Sequence, residues 1–179
     1  MGIMSGVIIL SWVQGSTDHY AMSISNRTKN SLSVGFVSQT EPYILDTNVI
    51  SELRKARTGR IDNNVAKWAL HTDAADFFIS VISIMELEQG ILQVERRDMR
   101  QGIMLRSWMD QHVLPAFSDK ILPVDTAVAL RCARLHVPDR RSERDALIAA
   151  TALVHGMTVV TRNVGDFELT GVSIINPWA

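Results

Sequence analysis

From Tyr43 onward the chain alternates short apolar runs with longer stretches of helical period, and this alternation limits the fold more than any other feature. The runs fall at 43–46, 76–80, 121–124, 158–161 and 172–175. Between them the pattern predicts helices over 47–55 (stopping near Thr58-Gly59), 62–71, 83–95, 97–112, 125–136 and 142–155. Gly156 follows the last of these as a left-handed terminator. Continuously apolar strands are strands buried on both faces. Strands alternating with helices build βαβ units, so the expected fold is α/β: a five-stranded parallel sheet with helices on both faces. In such sheets ligands bind beyond the carboxyl ends of the strands. Neither GxGxxG nor GxxxxGK[ST] occurs, so the phosphate cradles of dinucleotide and P-loop sites are missing.

The 179 residues suit one domain with a tail. Eighteen Lys and Arg against nineteen Asp and Glu give a formal charge of −1. A protein that coats nucleic acid over its whole surface is far more basic. Fourteen of the eighteen cations are Arg, which suits local bidentate contacts to phosphate or carboxylate. One cysteine, Cys132, forms no internal disulfide; its amphipathic surroundings predict a packing role. The five histidines show no metal-binding spacing. Residues 1–42 differ from the rest: one apolar run at 7–13, too short to span a bilayer, then a Ser/Thr/Asn-rich stretch. No Lys or Arg precedes Arg27, against a secretory signal. We expect an N-terminal extension, disordered or arising from a start assigned upstream of Met4 or Met22, and a folded domain over 43–179. A chain beginning near Pro42 is expected to keep fold and activity.

Four acids fall where the sheet rule places chemistry. Asp46 ends the first strand, although Asp is also a good helix N-cap. Glu86 lies early in the helix after the second strand, where Ser83 and Glu86 also read as a capping box. Gly90, one turn on, leaves a bare surface beside it for a substrate. Asp145 sits in the first turn of the helix opening at Ser142, on a face with Ile148, Ala149 and Ala152. Asp166 follows the fourth strand in Gly165-Asp166, which also reads as a turn. Two carboxylates about 4 Å apart repel by roughly 4 kcal/mol at an effective dielectric of 20. Gathered together, they require protons or a cation. With no His or Cys in the set, a hard divalent ion, Mg²⁺ or Mn²⁺, is the expected ligand. Such an ion suits phosphodiester hydrolysis.

The segments Tyr43-Ile44-Leu45-Asp46-Thr47-Asn48-Val49-Ile50-Ser51-Glu52-Leu53, Ser83-Ile84-Met85-Glu86-Leu87, Arg144-Asp145-Ala146-Leu147-Ile148-Ala149-Ala150-Thr151-Ala152 and Thr161-Arg162-Asn163-Val164-Gly165-Asp166-Phe167 carry a resemblance. Together they resemble the PIN-domain ribonucleases, and within these the VapC-type toxins of bacterial toxin–antitoxin pairs, including the FitB-like branch. The likeness spans about residues 42 to 178. It implies a cytoplasmic Mg²⁺- or Mn²⁺-dependent endoribonuclease whose metal ligands are Asp46, Glu86, Asp145 and Asp166. Thr161 and Asn48 match supporting positions. It also implies an RNA substrate such as a tRNA, a cognate antitoxin, and a second copy of the chain. Operator DNA would be reached only through the antitoxin, and no membrane is involved.

Arg54, Arg57 and Arg60, or Arg140, Arg141 and Arg144, are the expected grips on an RNA backbone. Other classes remain open at this point. A phosphatase with a nucleophilic strand-end Asp would want a second Asp at position 48, where Asn stands. A phospho-accepting receiver would want a Lys near its site, and Lys120 precedes the third strand. A subunit that only assembles with an antitoxin into a DNA-binding repressor is the non-enzymatic reading.

Overall fold

The structure, a computed structural model, describes residues 42–179. The expectation for the N-terminal extension therefore lies outside the described residues, Pro42 apart. β1 (Tyr43–Leu45) is short because Asp46 turns the chain, accepting the Thr47 backbone N–H at 2.7 Å and capping α1 (Thr47–Leu53). A 3₁₀ turn carries α1 to Gly59, which ends it at φ 65°. Asp62 caps α2 (Asn63–His71). There follow β2 (Phe77–Ser80), α3 (Val81–Glu95), α4 (Met99–Trp108), α5 (Leu114–Ala116), β3 (Ile121–Leu122) and α6 (Thr126–Leu135). The chain closes with α7 (Glu143–His155), β4 (Thr158–Val160), α8 (Val164–Phe167) and β5 (Ile174–Ile175).

The strands form one parallel five-stranded sheet in the order β3-β2-β1-β4-β5. The chain winds outward from β1 to β3, then returns to the other side of β1 with β4 and β5. The strand order therefore reverses between β1 and β4. Alternate strand residues face opposite layers, as the pleat requires. Leu45, Phe77, Ile79 and Val160 pack with Val49, Ile50, Leu53, Val65, Leu87, Trp108 and Phe117. Ile44 and Val159 pack with Ile148, Ala149, Ala152 and Phe167. Helices thus cover both faces, as the alternation of elements predicts. Cys132 is buried with Val128, Ala146 and Ala150 between α6 and α7, a packing residue as expected.

Some local readings change. Ser80, not Ser83, caps α3: its hydroxyl accepts the Ile82 N–H at 3.1 Å. Ser83 is buried one turn inside the helix, so it forms no capping box with Glu86. The expected helix over 97–112 begins instead at Met99, capped by Asp98, and opens into a π-turn over Met109–Val113. Pro115 supplies the reason: without an N–H it cannot continue the α-helical ladder. Asp166 lies in the short helix α8 rather than in a plain turn. No helix among the described residues is long and apolar enough to cross a membrane.

Candidate functional site

The reversal between β1 and β4 opens a crevice at the carboxyl edge of the sheet, where binding sites form in doubly wound folds. Asp46 leaves β1 there, its backbone N–H bonded to the Val160 carbonyl at 3.0 Å. Thr161 leaves β4 beside it. Both are buried, Asp46 at 5% and Thr161 at 0% exposure. The Thr161 hydroxyl donates to Asp46 Oδ2 at 2.6 Å, and Asn48 Nδ2 donates to the same oxygen at 2.6 Å. Asn48 Nδ2 also donates to Thr161 Oγ1 (3.1 Å), and Asn48 Oδ1 accepts the Arg162 backbone N–H (3.3 Å). Thr161 Oγ1 further accepts the Asn163 N–H at 2.9 Å. Each hydrogen bond that reaches the Asp46 carboxylate here comes from a donor, which favours its anionic form.

Glu86, half-buried on α3, faces the same edge. Its Oε2 accepts the Thr47 hydroxyl, and its Oε1 lies 3.5 Å from Arg144 Nη1. Thr47 therefore ties the start of α1 to α3, and Arg144 ties α7 to α3. Asp145 lies half-buried in the first turn of α7. The Ser142 hydroxyl makes no cap bond to the helix backbone. Asp166 projects from α8, exposed to solvent.

Burial pushes the Asp46 carboxyl up to about 6; the hydrogen bonds from Thr161 and Thr47 pull it down, while the charges of Glu86 and Asp145 push it up further. Burial likewise raises Asp145, helped by Asp166 and Glu86 and opposed by Ser142 and Arg144. The acids thus interact in a chain: Asp46 with Glu86 and Asp145, and Asp145 with Glu86 and Asp166. Asp166 stands at its outer end. Among the described residues, Arg144 is the only cation paired with any of them, and it is half-exposed. As they lie, no three His, Cys, Asp or Glu side chains among the described residues stand close enough together to hold a metal ion. The donor set is nonetheless all oxygen, and its shared deficit is positive charge, so it fits a hard divalent ion.

Sequence reasoning did not single out Thr47 or the Arg144–Glu86 pair as parts of this site. Asp145, on an apolar face, signalled a cation; nothing in the local sequence signalled the partner of Thr47, 39 positions away. Two of the expected RNA grips have their side chains engaged elsewhere: Arg141 donates to the Leu135 and Leu169 carbonyls, and Arg57 contacts His112. Arg54 lies over the Trp108 ring.

A family model described as PIN domain matches residues 43–170. The chain belongs to the PIN-domain family. Its VapC- and FitB-like branch follows from the relatives. The VapC ribonuclease Y4jK of Sinorhizobium fredii is 35% identical over 75% of this chain and 96% of its own length. The toxin FitB of Neisseria gonorrhoeae is 32% identical over 75% of this chain and 97% of its own. The structure of FitAB bound to an IR36 DNA fragment superposes on this PIN domain with a TM-score of 0.69 at 32% identity, covering 76% of this chain and 96% of that one.

Proposed function

We propose that this PIN domain is a divalent-metal-dependent endoribonuclease, the toxin of a toxin–antitoxin pair. The observation that carries this reading is the buried, donor-ringed Asp46 at the strand-order reversal, with Glu86 and Asp145 close enough to raise its pKa. The names of the VapC and FitB relatives support the same reaction class. Asp46, Glu86 and Asp145 are the residues that would hold one Mg²⁺ or Mn²⁺, directly or through water, and Asp166 would complete the set or hold a second ion. When bound, such an ion neutralises charge on the scissile phosphate and makes a water a better nucleophile. The chain's own residues fix the geometry. Thr161 and Asn48 hold Asp46 in one rotamer and keep it ionised. Thr47 and Arg144 hold Glu86 from two sides. No side-chain nucleophile is required.

The partners follow from the same reading. A cognate antitoxin covers the acidic crevice, a second copy of the chain forms a homodimer, and DNA is reached through the antitoxin. The FitAB–DNA structure supports an antitoxin partner and DNA contact by the complex. The deciding experiment incubates the purified chain, free of antitoxin, with RNA and Mg²⁺ or Mn²⁺. Cleavage that stops in excess chelator, and that Asp46→Asn abolishes without unfolding the protein, is the expected result. Undiminished cleavage in chelator or in Asp46→Asn ends the metal-nuclease reading. No cleavage by the wild type, with antitoxin binding intact, leaves the repressor subunit in its place.

A further inference from the structure

We infer that Arg162, held against Trp178, is the residue that grips the RNA phosphate beside the cut. The inference rests on the nuclease reading and adds a specific contact to it. Arg162 directly follows Thr161, so its Cα is anchored next to Asp46 at the carboxyl end of β4. Its backbone N–H is fixed by Asn48 Oδ1. Trp178 comes from the same edge of the sheet, three residues beyond the end of the adjacent strand β5. Its own backbone is tethered twice. The Trp178 N–H donates to Asn176 Oδ1 at 3.0 Å, and its carbonyl accepts from Asn64 Nδ2 at 3.2 Å. The indole also packs against the core beneath α1 and α2. The Arg162 guanidinium lies over this fixed ring, 5.8 Å from its centroid.

The chemistry of that contact is what selects Arg162. A carboxylate partner orders an arginine by occupying its N–H donors, as Glu88 does to Arg106. An aromatic face orders it through the cation's attraction to the ring and leaves the in-plane donors open. Among the described residues Arg162 has no carboxylate partner, and its side chain is exposed. It is therefore a positioned cation with its phosphate-binding edge unused, at the rim of an acidic crevice. Such a crevice repels RNA unless something beside it attracts the backbone. Arg54 is also ordered by a ring, but it lies at the far end of α1 from Asp46. Arg144 is spent on Glu86.

The test uses the full chain and a fluorescein-labelled, mixed-sequence single-stranded RNA of about 20 nucleotides, at several salt concentrations. Arg162→Ala keeps the backbone bond to Asn48, so the site itself is undisturbed. It is expected to raise KM about tenfold or more with kcat within about twofold, and to lower the salt slope of log KM by about 0.7, the signature of one lost phosphate contact. Arg162→Lys keeps the charge without the planar stack and is expected to fall between the two. Trp178→Phe keeps a ring with a weaker hold on the cation and is expected to raise KM, by less than Arg162→Ala does; a KM unchanged in both variants counts against the grip. Binding of the same RNA to Asp46→Asn, by anisotropy, supplies a readout independent of cleavage, and adding Arg162→Ala must weaken it equally. An unchanged KM and salt slope in Arg162→Ala, with cleavage intact, overturns the grip and spares the nuclease reading. Arg162-dependent binding by a wild type that cleaves nothing supports the grip and ends the nuclease reading. RNA neither cut nor bound overturns both.

Discussion

Asp46 carries two opposed demands. Thr161, Asn48 and the Thr47 N–H all donate to it, which favours the anion, while burial and two neighbouring acids favour the proton. On the proposed metal-nuclease reading a bound cation would reconcile them, so protons and metal would compete, and apparent Mn²⁺ affinity is expected to weaken about tenfold per pH unit below about 6. Titration of the metal at successive pH values checks this; a flat profile contradicts it. Thr161→Val removes a donor from the carboxylate. It should reduce cleavage by about 10- to 100-fold and move the acid limb of the pH–rate profile upward, and Thr161→Ser should restore both. At this scale the strand-end position of Asp46 was legible from the apolar run before it, whereas Asn48 and Thr161 entered only through the family resemblance. The Thr47–Glu86 and Arg144–Glu86 contacts were not legible, because they join elements whose relative placement only the sheet decides.

The packing of α3 against α4 depends on side chains away from the crevice. Arg106 on α4 forks onto Glu88 and reaches Glu95, both on α3. Gly102 lets the helices approach: a Cβ there would overlap Glu95 Cγ and lie 2.7 Å from its Cα. Gly102→Ala is thus expected to destabilise by about 1–3 kcal/mol, read as a lower denaturant midpoint. Gly90 is the opposite case. A Cβ there meets nothing, so Gly90→Ala should stabilise α3 by about 0.5–1 kcal/mol. A KM raised by that same variant would assign the bare surface to the substrate. Elements were legible wherever period and punctuation agreed, as at Gly59, Asp62, Asp125 and Gly156. They were misread where one residue serves two elements. Ser80 both ends β2 and caps α3, so Ser83 looked like the cap. Asp98 caps α4 and moves its start from the expected 97 to Met99, and Pro115 forces a π-turn no local stripe announces.

For the whole molecule, the order β3-β2-β1-β4-β5 brings Asp46, Glu86 and Asp145 within electrostatic reach of one another, with Asp166 reaching Asp145. The alternation of runs and helices was enough to anticipate the parallel sheet and its two covered faces, though not the register that brings Arg162 and Trp178 together. The same gathering has an energetic cost in the metal-free protein. The folded state binds a proton at Asp46 more tightly than the unfolded chain does, with a pKa of about 6 against 3.8. The resulting stabilisation is complete below the lower value and is lost as pH rises through about 6, a change of about 3 kcal/mol. Asp145 shifts in the same direction and adds to it. A metal-free protein should therefore lose this increment of stability between acid and neutral pH, and Mg²⁺ should return it at neutral pH. The most direct measurement is calorimetric titration of Mn²⁺ into the antitoxin-free chain above pH 6, repeated on Asp46→Asn and Asp145→Asn. The account predicts a saturable site in the wild type whose affinity falls at least about 100-fold in either variant. Equal binding by all three proteins, or none by the wild type, would contradict it.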